Sequence, residues 1–284
     1  MSRSKGLSRR DFLKRSTVAA AAVGFPMVVP SRVLGADGAT APGDRITMGC
    51  IGLGGRGTVN MRQFLGMSDV QIVALCDVDS GSTRYEDNWY RGLAPAKETV
   101  EKKYAVEMQA GHYKGVDTYK DFRELLARDD IDAVMIGTPD HWHAFIAVAA
   151  ARAGKDIYCE KPLSHNIREG QAIVEAARRH DRIFQCGSQR RSEAAWRRTC
   201  ELIRNGRIGK LHTVRVKLMG GHWTRGSYRP QQPMPVPPGF DYDMWLGPAP
   251  EEPYTHNRCH WNFRWNYDYS GGQVTDWGAH FIDM

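Results

Sequence analysis

Gly52-Leu53-Gly54-Gly55-Arg56-Gly57 has the Gly-x-Gly-x-x-Gly spacing that lets a backbone turn sharply and approach a diphosphate. Gly52 would permit the tight turn. Gly54 would admit the diphosphate to the amino terminus of the helix that follows, where backbone N–H groups point outward. Asp77 stands twenty residues past Gly57, at the end of the next apolar run. A carboxylate there accepts hydrogen bonds from adenosine ribose hydroxyls and repels a 2′-phosphate, so NAD is favoured over NADP. Arg56, in the same loop, works against that preference. The plain alternative is a structural turn followed by a coincidental acid. Two further groups carry chemistry: Lys161 in Glu160-Lys161-Pro162, and Asp276 with His280 at i and i+4, on one face of a helix. Taken singly, these read as a strand-end lysine, a helix N-terminal charge and a core histidine. His141-Trp142-His143 has a zinc-like His-x-His spacing, yet no Cys or carboxylate stands at ligand spacing nearby, so no metal is expected. Its place after Gly137-Thr138-Pro139 instead puts His143 on a cofactor-side loop, facing the crevice.

These residues need strands and helices that bring them together. Apolar runs predict strands at 46–51, 70–76, 131–136, 156–159 and 183–186. Helical patterns lie between them: from about Thr58, through charge-rich sequence to about Lys103, at 119–127, at 143–153 and at 169–180. Such alternation predicts a parallel, doubly wound α/β sheet. Ligands bind at the carboxyl ends of its strands. Gly52, Asp77, Thr138, Lys161 and Gln185–Gln189 all follow strand ends, so one crevice should collect them.

The second half reads differently. A helix is predicted over 193–205 and an alternating strand over 211–218, a plausible start of a second domain. Residues 219–258 are rich in proline and should pack by their aromatics. Trp196, Trp223, Trp245, Trp261, Trp265 and Trp277 all lie past residue 190. Tryptophan faces suit sugar rings, and equally suit cores and interfaces. None of the six cysteines forms a Cys-x-x-Cys pair, and most sit in apolar runs as small hydrophobes.

Together, the glycine fingerprint with its acid, Glu160-Lys161-Pro162, and Ser270-Gly271-Gly272-x-x-x-Asp276-x-x-x-His280-x-x-Asp283 resemble the glucose–fructose oxidoreductase/inositol dehydrogenase/MocA family. The resemblance covers residues 45–284. It implies a Rossmann domain at 45–188, then an α+β domain with an open, mostly antiparallel sheet beginning at 189. Family members continue beyond the Asp-x-x-x-His helix, so the second domain, ending at Met284, is expected to be incomplete. The resemblance implies Lys161, Asp276 and His280 as catalytic residues. Lys161 would relay the proton and stabilise the oxyanion, and Asp276 would orient His280 as general base. It implies cofactor contacts at Gly52, Gly54, Gly55, Arg56, Gly57, Asp77, Thr138, Pro139, His143, Glu160 and Lys161. Substrate contacts would fall at Lys161, Arg190, Trp277 and His280. The activity implied is hydride transfer between a sugar or cyclic polyol and NAD. The second reading is an NAD-dependent glycoside hydrolase that oxidises transiently and ends with no net redox change. A non-catalytic sensor on the same scaffold would not need Lys161, Asp276 and His280 intact. Association of the complete protein through the open sheet is also implied.

Ser8-Arg9-Arg10-Asp11-Phe12-Leu13-Lys14, followed by an apolar stretch to Val29, reads as a twin-arginine signal over 1–36, with cleavage after Ala36 or Ala41. The apolar stretch is too short to span a bilayer as an ordinary helix. The expected partners are then the twin-arginine translocation machinery and a sugar or polyol, and the expected location is periplasmic. An exported enzyme leaves the free nicotinamide pool behind, so its cofactor should stay bound through the cycle. The signal also explains the basic charge. The chain has 39 basic and 32 acidic residues; without residues 1–36 it has 32 and 31, a net charge of +1. That balance gives no support for a nucleic-acid partner.

Overall fold

The computed structural model describes residues 40, 42–85, 88–217 and 231–283; the arginine pair at 9–10 and the whole expected signal over 1–36 lie outside them. The chain divides into two compact units, Met1–Gly43 and Asp44–Met284, and every strand and cavity below lies in the second.

Six strands form one parallel sheet: β1 Ile46–Ile51, β2 Val70–Cys76, β3 Asp117–Tyr119, β4 Ala133–Ile136, β5 Asp156–Glu160 and β6 Phe184–Gly187. Their order is β3-β2-β1-β4-β5-β6, and every pairing is parallel. The connections are α1 Gly55–Leu65, α2 Leu93–Lys103, α3 Ala105–Gln109, α4 Phe122–Leu126, α5 Asp140–Arg152 and α6 Ile167–Arg179. Strand order reverses between β1 and β4, which opens a crevice at their carboxyl ends.

The inner strands β1, β2, β4 and β5 are largely apolar runs because both faces of the sheet are covered there. Successive side chains serve different cores. Cys50 and Met135 pack with Leu53, Met61, Ile72 and Val100. Ile51, Val134 and Ile136 pack with Leu125, Ala147, Ala150 and Ile157. Each fully buried aliphatic contributes roughly 1.5–3 kcal/mol.

Three expectations fail. Tyr119, read as the start of a helix over 119–127, instead ends a sixth strand, Asp117–Tyr119, and the helix begins at Phe122; the strand is short, polar and at the sheet edge, so it carries no apolar signature. Residues 78–85 and 88–92 are not helical; Gly81 and Gly92 sit at φ 153° and 111°, and Ser82 bridges Arg91 instead. Residues 211–217 form no strand: among the described residues nothing pairs with them, and they are exposed. Beyond β6 the described residues contain no strand of the expected open sheet.

That second half holds α7 Ala194–Arg204, α8 Tyr242–Leu246 and a helical segment whose turn Val274–Gly278 is π-helical before α9 Ala279–Phe281. No residue of α7 is buried. Within the described part of the proline-rich stretch, 231–258, Phe240, Tyr242, Trp245 and Tyr254 pack together; with Leu246 and, beyond the stretch, Cys259, Phe263 and Tyr269 they form a third core. Trp245 and Trp265 are buried, whereas Trp277 is 41% exposed, and Trp223 lies outside the described residues. All six cysteines are free.

Candidate active site at the crevice of the sheet

β1 ends at Ile51 and the chain must turn at once into α1. Gly52 does so at φ 83°, and its N–H donates to Cys76 O at 2.9 Å. A Cβ on Gly52 would meet Thr138 N at 2.6 Å; one on Gly57 would lie 1.8 Å from Gly52 O. Gly57 therefore works beneath the turn, where α1 crosses the strand. No side chain caps α1, so the N–H groups of its first turn remain open. Glycines at the turn, an uncapped helix terminus and an acid after β2 fit the diphosphate and ribose of a dinucleotide.

Asp77 is buried, and each of its oxygens accepts a backbone N–H: Leu53 N at 2.5 Å and Asp79 N at 2.7 Å. The carboxylate thus ties the glycine loop to the end of β2. Burial raises its pKa to about 6, against these hydrogen bonds, which lower it.

At the other end of the crevice stands Lys161, following β5 through a cis Lys161–Pro162 peptide. Its Nζ donates to Asp276 Oδ1 at 2.5 Å and to Asp276 O at 2.8 Å, across 115 residues. Arg264 Nε lies 3.6 Å from the same carboxylate oxygen. Glu160 is buried under Asn60 Nδ2 at 2.7 Å, Gln189 Nε2 and the N–H of Lys161 at 3.2 Å. Burial and the Lys161 charge hold the His280 imidazole below its ordinary pKa, and its Nδ1 has no hydrogen-bond partner among the described residues.

The expected Asp276–His280 pair does not form. A full cation competes for the carboxylate and wins, because a charge-assisted bond is the stronger. The Asp276 carboxylate orients Lys161.

One cavity of about 490 Å³ joins both ends. Gly52, Gly54, Gly55, Arg56, Asp77, Thr138, Pro139, Glu160, Lys161, Arg190, Asp276, Trp277 and His280 all line it. Three groups expected there do not. Gly57 lies under the turn. His143 is 1% exposed, with Nδ1 2.6 Å from Pro162 O and Nε2 2.9 Å from Thr138 O, so its ring fastens two loops from behind. Gln185–Gln189 stand outside the cavity; Gln189 bonds Glu160 and Tyr158 instead. His141 likewise spends Nε2 on Trp245 O at 2.9 Å. Among the described residues no three His, Cys, Asp or Glu groups gather as metal ligands.

Sequence reasoning missed Arg264, Asp140 and Ser270. Arg264 stacks on Trp261 at 4.1 Å and Phe263 at 4.9 Å. Ser270 Oγ donates to Asp140 Oδ2 at 2.5 Å, both buried, which fastens the start of the Asp276 segment to the first residue of α5. Only Ser270, adjacent to Gly271-Gly272, sat within a motif.

A family model for the oxidoreductase NAD-binding Rossmann fold of the Gfo/Idh/MocA family matches residues 46–188, and one for its C-terminal alpha/beta domain matches 193–284. A myo-inositol 2-dehydrogenase of Thermotoga maritima is 28% identical over 195 residues, covering 69% of this chain and 47% of that protein. A glycosyl hydrolase family 109 protein of Solibacter usitatus is 32% identical over 176 residues, covering 61% and 37%. The crystal structure of myo-inositol 2-dehydrogenase from Lactobacillus plantarum aligns with 59% of this chain and 43% of that one, at 27% identity and a TM-score of 0.46. The chain spans less than half the length of these relatives. With two successive domains matched in order, this chain belongs to the Gfo/Idh/MocA family of NAD-binding oxidoreductases.

Proposed function

We propose that this chain carries the catalytic crevice of an exported oxidoreductase that moves a hydride between a hydroxyl of a sugar or cyclic polyol and a retained NAD. The observation that carries the reading is the Asp276-held Lys161 in the same cavity as the glycine loop. A bound nicotinamide supplies the hydride acceptor.

The chain's own residues do the rest. Held neutral by burial and by Lys161, His280 has a lone pair for the alcohol proton. Lys161 donates a hydrogen bond to the oxygen as negative charge grows on it. Asp276 keeps Lys161 in place, and Trp277 and Arg190 line the same cavity, within reach of a substrate there. Arg190 is itself steadied by Glu193 at 2.8 Å. Asp77 uses two of roughly four lone-pair sites on backbone N–H groups, leaving room for ribose hydroxyls. Residues 8–14 support export, and export supports retention of the cofactor.

The hydrolase reading is favoured by one observation: a family 109 glycosyl hydrolase is 32% identical over 176 residues. Both readings use the same lysine and histidine.

The test begins with protein purified without added nucleotide, denatured, and its extract identified by chromatography and mass spectrometry. Stoichiometric NAD(H) is expected. Sugars and glycosides are then supplied in pairs. Oxidation of one with reduction of another supports the oxidoreductase; net cleavage with no redox product would convert the reading to the hydrolase.

A further inference from the structure

The dinucleotide crevice has a second wall that comes from outside the Rossmann sheet. The stretch after β2 is stitched to residues 239–260. Ser80 N donates to Gly239 O and Asp241 N to Val78 O, both at 2.9 Å, and Asp79 bridges Phe240. Side chains extend the seam. Buried Asp79 accepts from Gly81 N at 3.0 Å, Ser82 Oγ at 2.6 Å and Arg84 Nη2 at 3.2 Å. Arg84 Nε donates to His260 Nε2 at 3.3 Å, and its guanidinium lies 5.8 Å from the Phe240 ring centroid. Tyr85 meets the His260 ring edge-on at 4.9 Å. A Cβ on Gly54 would stand 2.9 Å from Tyr85 Cε1, so this ring lies against the glycine loop.

His260 holds φ 53°, a left-handed conformation that a non-glycine residue keeps only where its surroundings enforce it. Such positions gather at ligand clamps. Asp77, Asp79, Tyr85, Phe240 and His260 all line the cavity.

We propose that Asp79, Arg84, Tyr85 and His260 form a clamp on the adenosine half of the dinucleotide, built across two distant segments, that slows its release. The proposal rests on the NAD reading above. It assigns retention to specific side chains rather than to the glycine loop alone.

The test uses the full chain loaded with NADH and measures release after dilution into excess NAD, by loss of NADH fluorescence. His260→Asn tolerates the left-handed backbone while removing the imidazole. Arg84→Gln removes the bridge to Asp79. Release should quicken by about tenfold or more in each, with a smaller change in association. Binding of ADP-ribose should weaken by a similar factor, and binding of nicotinamide mononucleotide should stay within about twofold. Thermal melts establish folding. Should His260→Asn not fold, Arg84→Gln and Tyr85→Ala, both at part-buried side chains, carry the test. Folded variants that release NADH at the parent rate overturn the clamp alone. A parent chain that binds neither NADH nor ADP-ribose overturns both the clamp and the cofactor reading.

Discussion

At the scale of single residues, the crevice works by tuning charge. Lys161 is fixed by Asp276 and stands beside a neutral imidazole, a combination suited to stabilising an alkoxide while another group takes its proton. Lys161→Ala should lower turnover by about 10²–10⁴ and leave bound nucleotide unchanged; loss of nucleotide in parallel with activity would remove the lysine from the chemistry. If His280 is the base, it should set the acid limb of the rate profile below the ordinary 6.5, because a base must be unprotonated to act. Burial raises the Asp77 pKa to about 6, and ribose hydroxyls would bond its ionised form. NAD affinity should therefore weaken as pH falls through about 6, and binding at that pH should release a proton. Calorimetry in two buffers of different ionisation enthalpy measures that proton; identical heats in both would contradict the role given to Asp77.

At the scale of elements, placement depends on a few long-range fasteners. Ser270→Ala would leave the buried Asp140 carboxylate without its donor, at a cost of about 1–3 kcal/mol. Turnover should fall through kcat, since the Asp276–His280 segment loses its tie to α5, while nucleotide content holds. Unchanged kcat in a folded variant would show that the tie is not needed. The sequence made five of the six strands legible as apolar runs, the four inner ones because they are covered on both faces. It made the glycine loop legible, since only glycine fits at Gly52 and Gly57. It hid β3, whose Asp117–Tyr119 has no apolar pattern, and it misled at 211–217, where alternation without a partner strand makes no sheet. Within the site, the motif residues Lys161, Asp276 and His280 do line one cavity, but the partner of Asp276 is not the expected one. Which group a carboxylate chooses depends on the cation packed against it, and sequence spacing does not contain that. The same holds for His143, whose ring turns toward two carbonyls rather than the cavity.

At the scale of the whole molecule, the cavity is walled by both halves of the chain, so a ligand that fills it should stabilise them together. At a hundredfold excess over its dissociation constant, NAD should add about 2.7 kcal/mol. At 2–4 °C per kcal/mol, that raises Tm by roughly 5–11 °C. A melt of nucleotide-stripped protein unmoved by saturating NAD would mean that NAD does not bind the folded chain. The Lys161–Asp276 contact spans 115 residues, and it has a consequence for the order of events during synthesis. The sheet with its glycine loop is finished at Gly187, whereas His260 and Asp276 emerge from the ribosome afterwards. At about 5–20 residues per second, the nascent chain presents an open nucleotide groove for roughly 5–20 s before its second wall exists. NAD would have that interval to enter a half-built site before His260, Asp276 and their neighbours could close over it.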